Sequence, residues 1–301
     1  MKLQRQLIIY FGVTAINAIL SFVITTLLTH EIAPQDYGRI YLYSAFLNFM
    51  TPFITAGILA PLSVEYFKRS HDSYSRYFTN AQLIPVLSLC LFTVLCFLFQ
   101  NPLAHFLKVK HYWIWVLPLT AWCIMIYETT QMLTRNNNKP WQFAFFAVGK
   151  TGLEMLLTIL FVLAIHWSWQ GRLLSAATAP LLLAIVSIWL YRRWRLIEKQ
   201  IDWKLVKQIL IISSPFIFER LGVFIMNSSG QYFIDNMVVD GTAEVGLYSL
   251  GNTIAQILFL VVLSMNYAYQ PHLFKKLSDG LKNRLHKTTI WYILAVAAAS
   301  G

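Results

Sequence analysis

The stretch WQFAFFAVGKTGLEMLLTILFVLAIH, residues 141–166, is apolar almost throughout, and Lys150 and Glu154 are its only formal charges. As a helix rising 1.5 Å per residue it reaches about 39 Å, enough to cross a hydrocarbon layer of about 30 Å. Its Gly149-Lys150-Thr151 triplet suggests a phosphate-binding loop, but that loop needs a second glycine five positions before Gly149. Ala144 stands there, and no strand precedes it. The stretch reads as a membrane-spanning helix with two charges near its middle.

The rest of the chain repeats the pattern. Of 301 residues, 57% are hydrophobic and 12% charged, against about 25% charged in soluble domains. Apolar runs predict helices at 7–29, 40–66, 78–100, 112–133, 141–166, 173–191, 206–234, 246–270 and 288–301. Helices satisfy their own backbone in lipid, and alternation of barrel-strand length is not apparent. The first run is too long for a secretory signal and lacks a small-x-small cleavage pattern. Cys90, Cys96 and Cys123 all fall inside apolar runs and read as small buried hydrophobes, without disulfide or metal spacing.

The net charge of +11 is distributed by topology. With the N-terminus placed in the cytoplasm, eighteen of the 24 Lys and Arg residues lie in cytoplasmic segments. Four (Arg39, Lys108, Lys110 and Arg172) lie outside, and Lys150 and Arg220 lie within spans. This positive-inside bias reads as topology, with contact to anionic lipid as a further role, and argues against a nucleic-acid partner. The loops are short, so function is expected among the helices. The longest polar stretch, YRRWRLIEKQIDWK, divides the chain into a first bundle (1–191), a cytoplasmic linker (192–205) and a second bundle (206–301).

Two segments repeat each other. DYGRIYLYSAFLNFMTPFITAGILAPLSVEYFK (36–68) and EVGLYSLGNTIAQILFLVVLSMNYAYQPHLFK (244–275) both open with an acid two residues before a glycine and end Phe-Lys. Internal repeats are common in transporters, with the site at the repeat interface. The second repeat holds two helices and part of a third, so the chain is expected to be a partial product lacking roughly a hundred residues, three to five helices.

HEIAPQDYGRIYLYSAFLNFMTPFITAGI (30–58) resembles the first loop and second helix of O-antigen (Wzx-type) polysaccharide flippases, and FIDNMVVDGTAEVGLYSLGNTIAQIL (233–258) resembles the matching turn of their second half. The resemblance implies an all-α polytopic fold of two helix bundles around a central cavity, in the superfamily of the multidrug-and-toxin exporters. It also implies a polyprenyl-pyrophosphate-linked oligosaccharide as substrate and the bacterial inner membrane as location. A polysaccharide polymerase and a chain-length regulator are the implied partners. Neither a cofactor nor bond-making chemistry is expected.

A charge at mid-membrane costs at least about 2.5–3.5 kcal/mol. Lys150, Glu154, Glu219, Arg220, Glu128 and Asn17 lie within apolar runs. Lys150 and Glu154, at i and i+4 on one helix face, form either a self-neutralised strut or half of an anion site completed by Arg220. In the second case Lys150 and Arg220 meet the pyrophosphate, and Glu154, Glu219, Glu128 and Asn17 are the polar or coupling candidates. The rivals are a drug/cation antiporter of the same fold, whose lumen should be more acidic, and a membrane-embedded sugar polymerase or ligase, which should carry a large outer loop.

Overall fold

The computed structural model describes residues 3–29, 31–252, 269–270 and 273–274. The expected run at 288–301 and most of the run at 246–270 lie outside the described residues. All regular structure among the described residues is helical: α1 (Leu3–Leu28), α2 (Pro34–Thr55), α3 (Leu59–Lys68), α4 (His71–Leu98), α5 (Gln100–Leu107), α6 (His111–Asn136), α7 (Pro140–Thr158), α8 (Ser168–Arg193) and α9 (Trp203–Met237). A further helix begins at 241. Five helices are long and apolar enough to cross a membrane, and up to seven cross if each bent pair (α2 with α3, α5 with α6) is one span. We call the side where α1, α4, α7 and α9 begin the proximal face, and the other the distal face.

The second expected helix is broken. Ala56 and Gly57 take left-handed φ values of 47° and 67°, and α3 leaves at 42° to α2. A β-carbon on Gly57 would stand 2.5 Å from the Ser213 carbonyl of α9, so glycine serves both the turn and the close approach. The fifth run ends as a π-helix, Ile159–Ala164. Gly171 lies against the Phe161 backbone at 3.0 Å from where its β-carbon would be, which lets the start of α8 approach that π-helix.

α6 touches α2, α4, α7 and α8, and its Ile114, Leu117, Ala121, Cys123 and Met125 are wholly buried. Hydroxyls tie it to its neighbours: Tyr43 donates to the Trp113 carbonyl at 3.0 Å, and Tyr191 to the Ile126 carbonyl at 2.5 Å. The outward faces are apolar, with Leu87, Leu91, Val94 and Leu98 exposed along α4, as suits a helix against lipid. Cys90 lies on that face and is exposed, which corrects the expectation that it is buried.

α4 begins seven residues before its apolar run, and those extra turns hold the polar stretch that follows α8. Ser75 and Thr79 donate to the Arg195 and Leu196 carbonyls, both at 3.0 Å. The Asn80 side-chain oxygen Oδ1 accepts the Asp202 N–H at 2.7 Å, and Arg76 pairs with the Asp202 carboxylate at 2.9 Å. The expected linker is thus fastened along one stripe of α4 at i, i+4 spacing.

Candidate functional site

Two cavities are stacked between the first six spans and α9. The upper one, nearer the distal face, has a volume of about 690 Å³. Its lining is rich in amides and hydroxyls, among them Ser44, Asn48, Thr151, Asn227 and Gln231. The lower one measures about 410 Å³ and is lined by Glu128, Arg135, Glu219 and Arg220, with Gln131 and Ser63.

The sequence pair Lys150–Glu154 lies in the upper cavity. Lys150 Nζ is 2.5 Å from Glu154 Oε2, and Arg172 donates to Glu154 Oε1, also at 2.5 Å. Both carboxylate oxygens are therefore occupied. The Glu154 side chain is only 9% exposed, against 30% for Lys150 and 23% for Arg172. The acid lies beneath and the two cations face the cavity, where Lys150 keeps further N–H donors and Arg172 keeps most of its fork. The triad carries a net charge of +1, placed where an incoming anion would meet preorganised donors.

Arg172 is the residue that the sequence reading misplaced. It was expected in a distal loop, but it stands in the second turn of α8, turned toward α7. The close approach at Gly171 brings it there. Trp167 and Trp169 beside it have the composition of a membrane boundary, and that signal hid a partner inside the helix.

Arg220 lines a different cavity from Lys150. On α9, Asn227 and Gln231 face the upper cavity, whereas Arg220 lies seven residues earlier, about 10 Å nearer the proximal face, and lines the lower cavity with Glu219. Glu128 shares that lower cavity with Arg220 and Arg135. Asn17 stands on α1 outside both linings, with its side-chain carbonyl oxygen buried and unpartnered.

Among the described residues, the distal end of α9 is tied to the first six spans. Lys108, itself in a left-handed turn, donates to Asp235 and to Thr242, both at 2.6 Å, and Thr242 donates to Asp235 at 2.7 Å. Tyr232 donates to the Leu42 carbonyl at 3.1 Å and stacks on Phe106 at 5.3 Å. The two glycines of the repeated turn meet here. A β-carbon on Gly38 would overlap the Thr242 carbonyl, and one on Gly246 would stand 2.5 Å from the Pro34 carbonyl.

Broken spans and polar chambers stacked between helices joined at one end define a multi-pass membrane protein with a transporter fold. The MATE multidrug transporter DinF-BH superposes with a TM-score of 0.77 at 14% identity, covering 98% of this chain and 69% of that one. The Vibrio cholerae MATE transporter VcmN in its bent form gives 0.68 at 14% identity, with 98% and 69% covered. The chain belongs to the polysaccharide biosynthesis protein family, whose sequence profile matches residues 3–276. A Haemophilus influenzae protein described as an uncharacterized membrane protein is 25% identical over 290 residues, 93% of this chain and 67% of that relative.

Proposed function

We propose that this protein moves a polyprenyl-pyrophosphate-linked oligosaccharide across the bacterial inner membrane by alternating access, without making or breaking a bond. The chain is read as two helix bundles, 1–191 and 206 onward, with the N-terminus in the cytoplasm, so that the proximal face is cytoplasmic. The observation that carries the reading is the Lys150–Glu154–Arg172 triad, which presents two cations to a chamber lined with amides and hydroxyls. Such a lining suits the hydroxyls of a glycan and an attached anion. The buried Glu154 keeps the cations placed when no substrate is present. The lower cavity, with Glu128, Glu219, Arg135 and Arg220, holds the charges available for coupling. A polysaccharide polymerase and a chain-length regulator are the partners this role implies.

The test is surface polysaccharide in cells whose own copy is replaced by K150A, R172A or the double variant. Each single variant is expected to lower export about tenfold or more, the worth of one charge-assisted hydrogen bond. Normal polymer at normal protein level in the double variant would refute the anion role of the triad. A second reading, a drug or cation antiporter, draws on the two carboxylates of the lower cavity. It predicts that E128Q and E219Q abolish efflux of a cationic dye while leaving polysaccharide unchanged.

A further inference from the structure

A third cleft lies to one side of the lower cavity, near the proximal face. It has a volume of about 290 Å³, and α3 and α4 form one wall while α9 forms the other. Lys68, Arg69 and Glu65 gather at its polar end. Leu205, Ile209, Ile212 and Phe216 run from there along α9, with Val64 and Pro61 opposite. We propose that this cleft binds one anionic phospholipid of the surrounding membrane, phosphate at Lys68 and Arg69 and acyl chain along α9.

The charges match that ligand. Glu65 holds Arg69 at 2.5 Å and stands 3.6 Å from the Lys68 ammonium, whose side chain is 56% exposed. Arg69 is further fixed over the Tyr77 ring at 4.6 Å. The three groups leave a net charge of +1, which a phosphodiester bearing a single negative charge neutralises. A diphosphate carrier, with more charge, would be left under-matched. Basic groups between spans at the headgroup level are the usual form of an anionic-lipid site. The walls beyond them are apolar and parallel to the helices, as an acyl chain requires. Ala60 and Phe216 stand between this cleft and the lower cavity and line both, so the lipid sits beside the chamber and not in it. Its two walls belong to α3–α4 and to α9, so a bound lipid would touch both sides of the interface between them.

The full chain, purified in a neutral detergent, is titrated with phosphatidylglycerol and separately with phosphatidylcholine, and bound lipid is counted by native mass spectrometry. Phosphatidylglycerol is expected to be retained and phosphatidylcholine not. The K68A/R69A double variant should weaken retention about tenfold or more, the loss of at least one charge-assisted contact. I212W fills the apolar end without touching a charge and should weaken retention as well, which keeps the test decisive if the double variant does not fold. Equal retention of the two lipids, or unchanged retention in I212W, overturns the proposal. Displacement of phosphatidylglycerol by equimolar undecaprenyl diphosphate also overturns it, by assigning the cleft to the carrier lipid.

Discussion

The two ends of the interface between the first six spans and α9 differ in kind. At the distal end the helices touch backbone to backbone at Gly38 and Gly246, and the Lys108–Asp235–Thr242 knot and the Phe106–Tyr232 stack close over them. Toward the proximal end the lower cavity and the side cleft lie between the same helices, with charged groups in their linings. Close packing needs small residues and matched polar groups, whereas separation only needs walls that tolerate water. The difference teaches where opening has to act: a state open on the distal side must pull apart a glycine contact and a three-membered polar knot.

Replacing Gly38 attacks the seal at its tightest point. A valine there would collide with the Thr242 carbonyl, which is backbone and cannot rotate away. Overpacking of this kind costs about 1–3 kcal/mol or more, equivalent to a shift of roughly fivefold to over a hundredfold between closed and open populations. In a chain carrying N227C as a reporter in the upper cavity, a membrane-impermeant maleimide added from the distal side should react slowly in the Gly38 background. It should react about tenfold or more faster with G38V. Equal rates would show that the glycine contact is not what closes the distal end.

The polar knot predicts an asymmetry. Asp235 has 6% of its side chain exposed, Lys108 40%. K108A leaves a buried carboxylate with Thr242 as its remaining hydrogen-bond donor in the knot. D235N leaves an ammonium that water can reach. Breaking a buried pair costs about 3–5 kcal/mol, and the exposure of Lys108 lowers that to roughly 1–3 kcal/mol for K108A and about 1 kcal/mol for D235N. Thermal unfolding of the two variants in the same detergent should rank K108A below D235N, with both below the unmodified chain. The reverse order would place the solvent on the other partner.

The sequence made the spans legible because lipid imposes a simple requirement, a long apolar run, on each of them. The helix at 141–166 and its Lys150–Glu154 pair were readable for the same reason, since i, i+4 spacing fixes which side chains meet. The repeated acid-x-glycine turn was also visible, and Gly38 and Gly246 prove to lie against the opposing helix. What stayed hidden depended on contacts remote in sequence. Gly57 was visible as a glycine, but the break it permits is set against Ser213 of α9. Lys108 and Asp235 are 127 residues apart, and no local pattern pairs them. Arg172 was lost to its neighbours, because tryptophans that mark a membrane boundary give no hint that α8 begins early and close to α7. The first turns of α4 were lost because their polar stripe serves the segment after α8, not lipid.

The proximal end carries the smallest expected effect. Asp202 caps α9 by accepting the backbone N–H groups of Leu205 at 3.2 Å and Lys204 at 3.0 Å, and its own N–H is held by Asn80. It is the point where the segment strapped to α4 becomes α9, so any pivot of α9 against the first six spans begins there. The Leu205 hydrogen bond first, then that of Lys204 and the charge of Arg76, hold its carboxyl below the ordinary aspartate value. The cap therefore contributes fully at neutral pH, where the carboxylate is ionised in both folded and unfolded chains. It is lost as pH falls below the ordinary aspartate range and through the lowered value. D202N removes the charge at every pH while keeping a side-chain acceptor. Amide hydrogen exchange of residues 203–206 should be faster in D202N than in the unmodified chain at neutral pH, and the gap should narrow on acidification as the natural cap protonates. A gap that persists unchanged into strong acid would show that hydrogen-bond geometry alone, without the charge, sets the start of α9. Because Asp202 lies at the opposite end of α9 from the Gly38 contact, loosening this cap should leave N227C labelling from the distal side unaltered, in contrast to G38V.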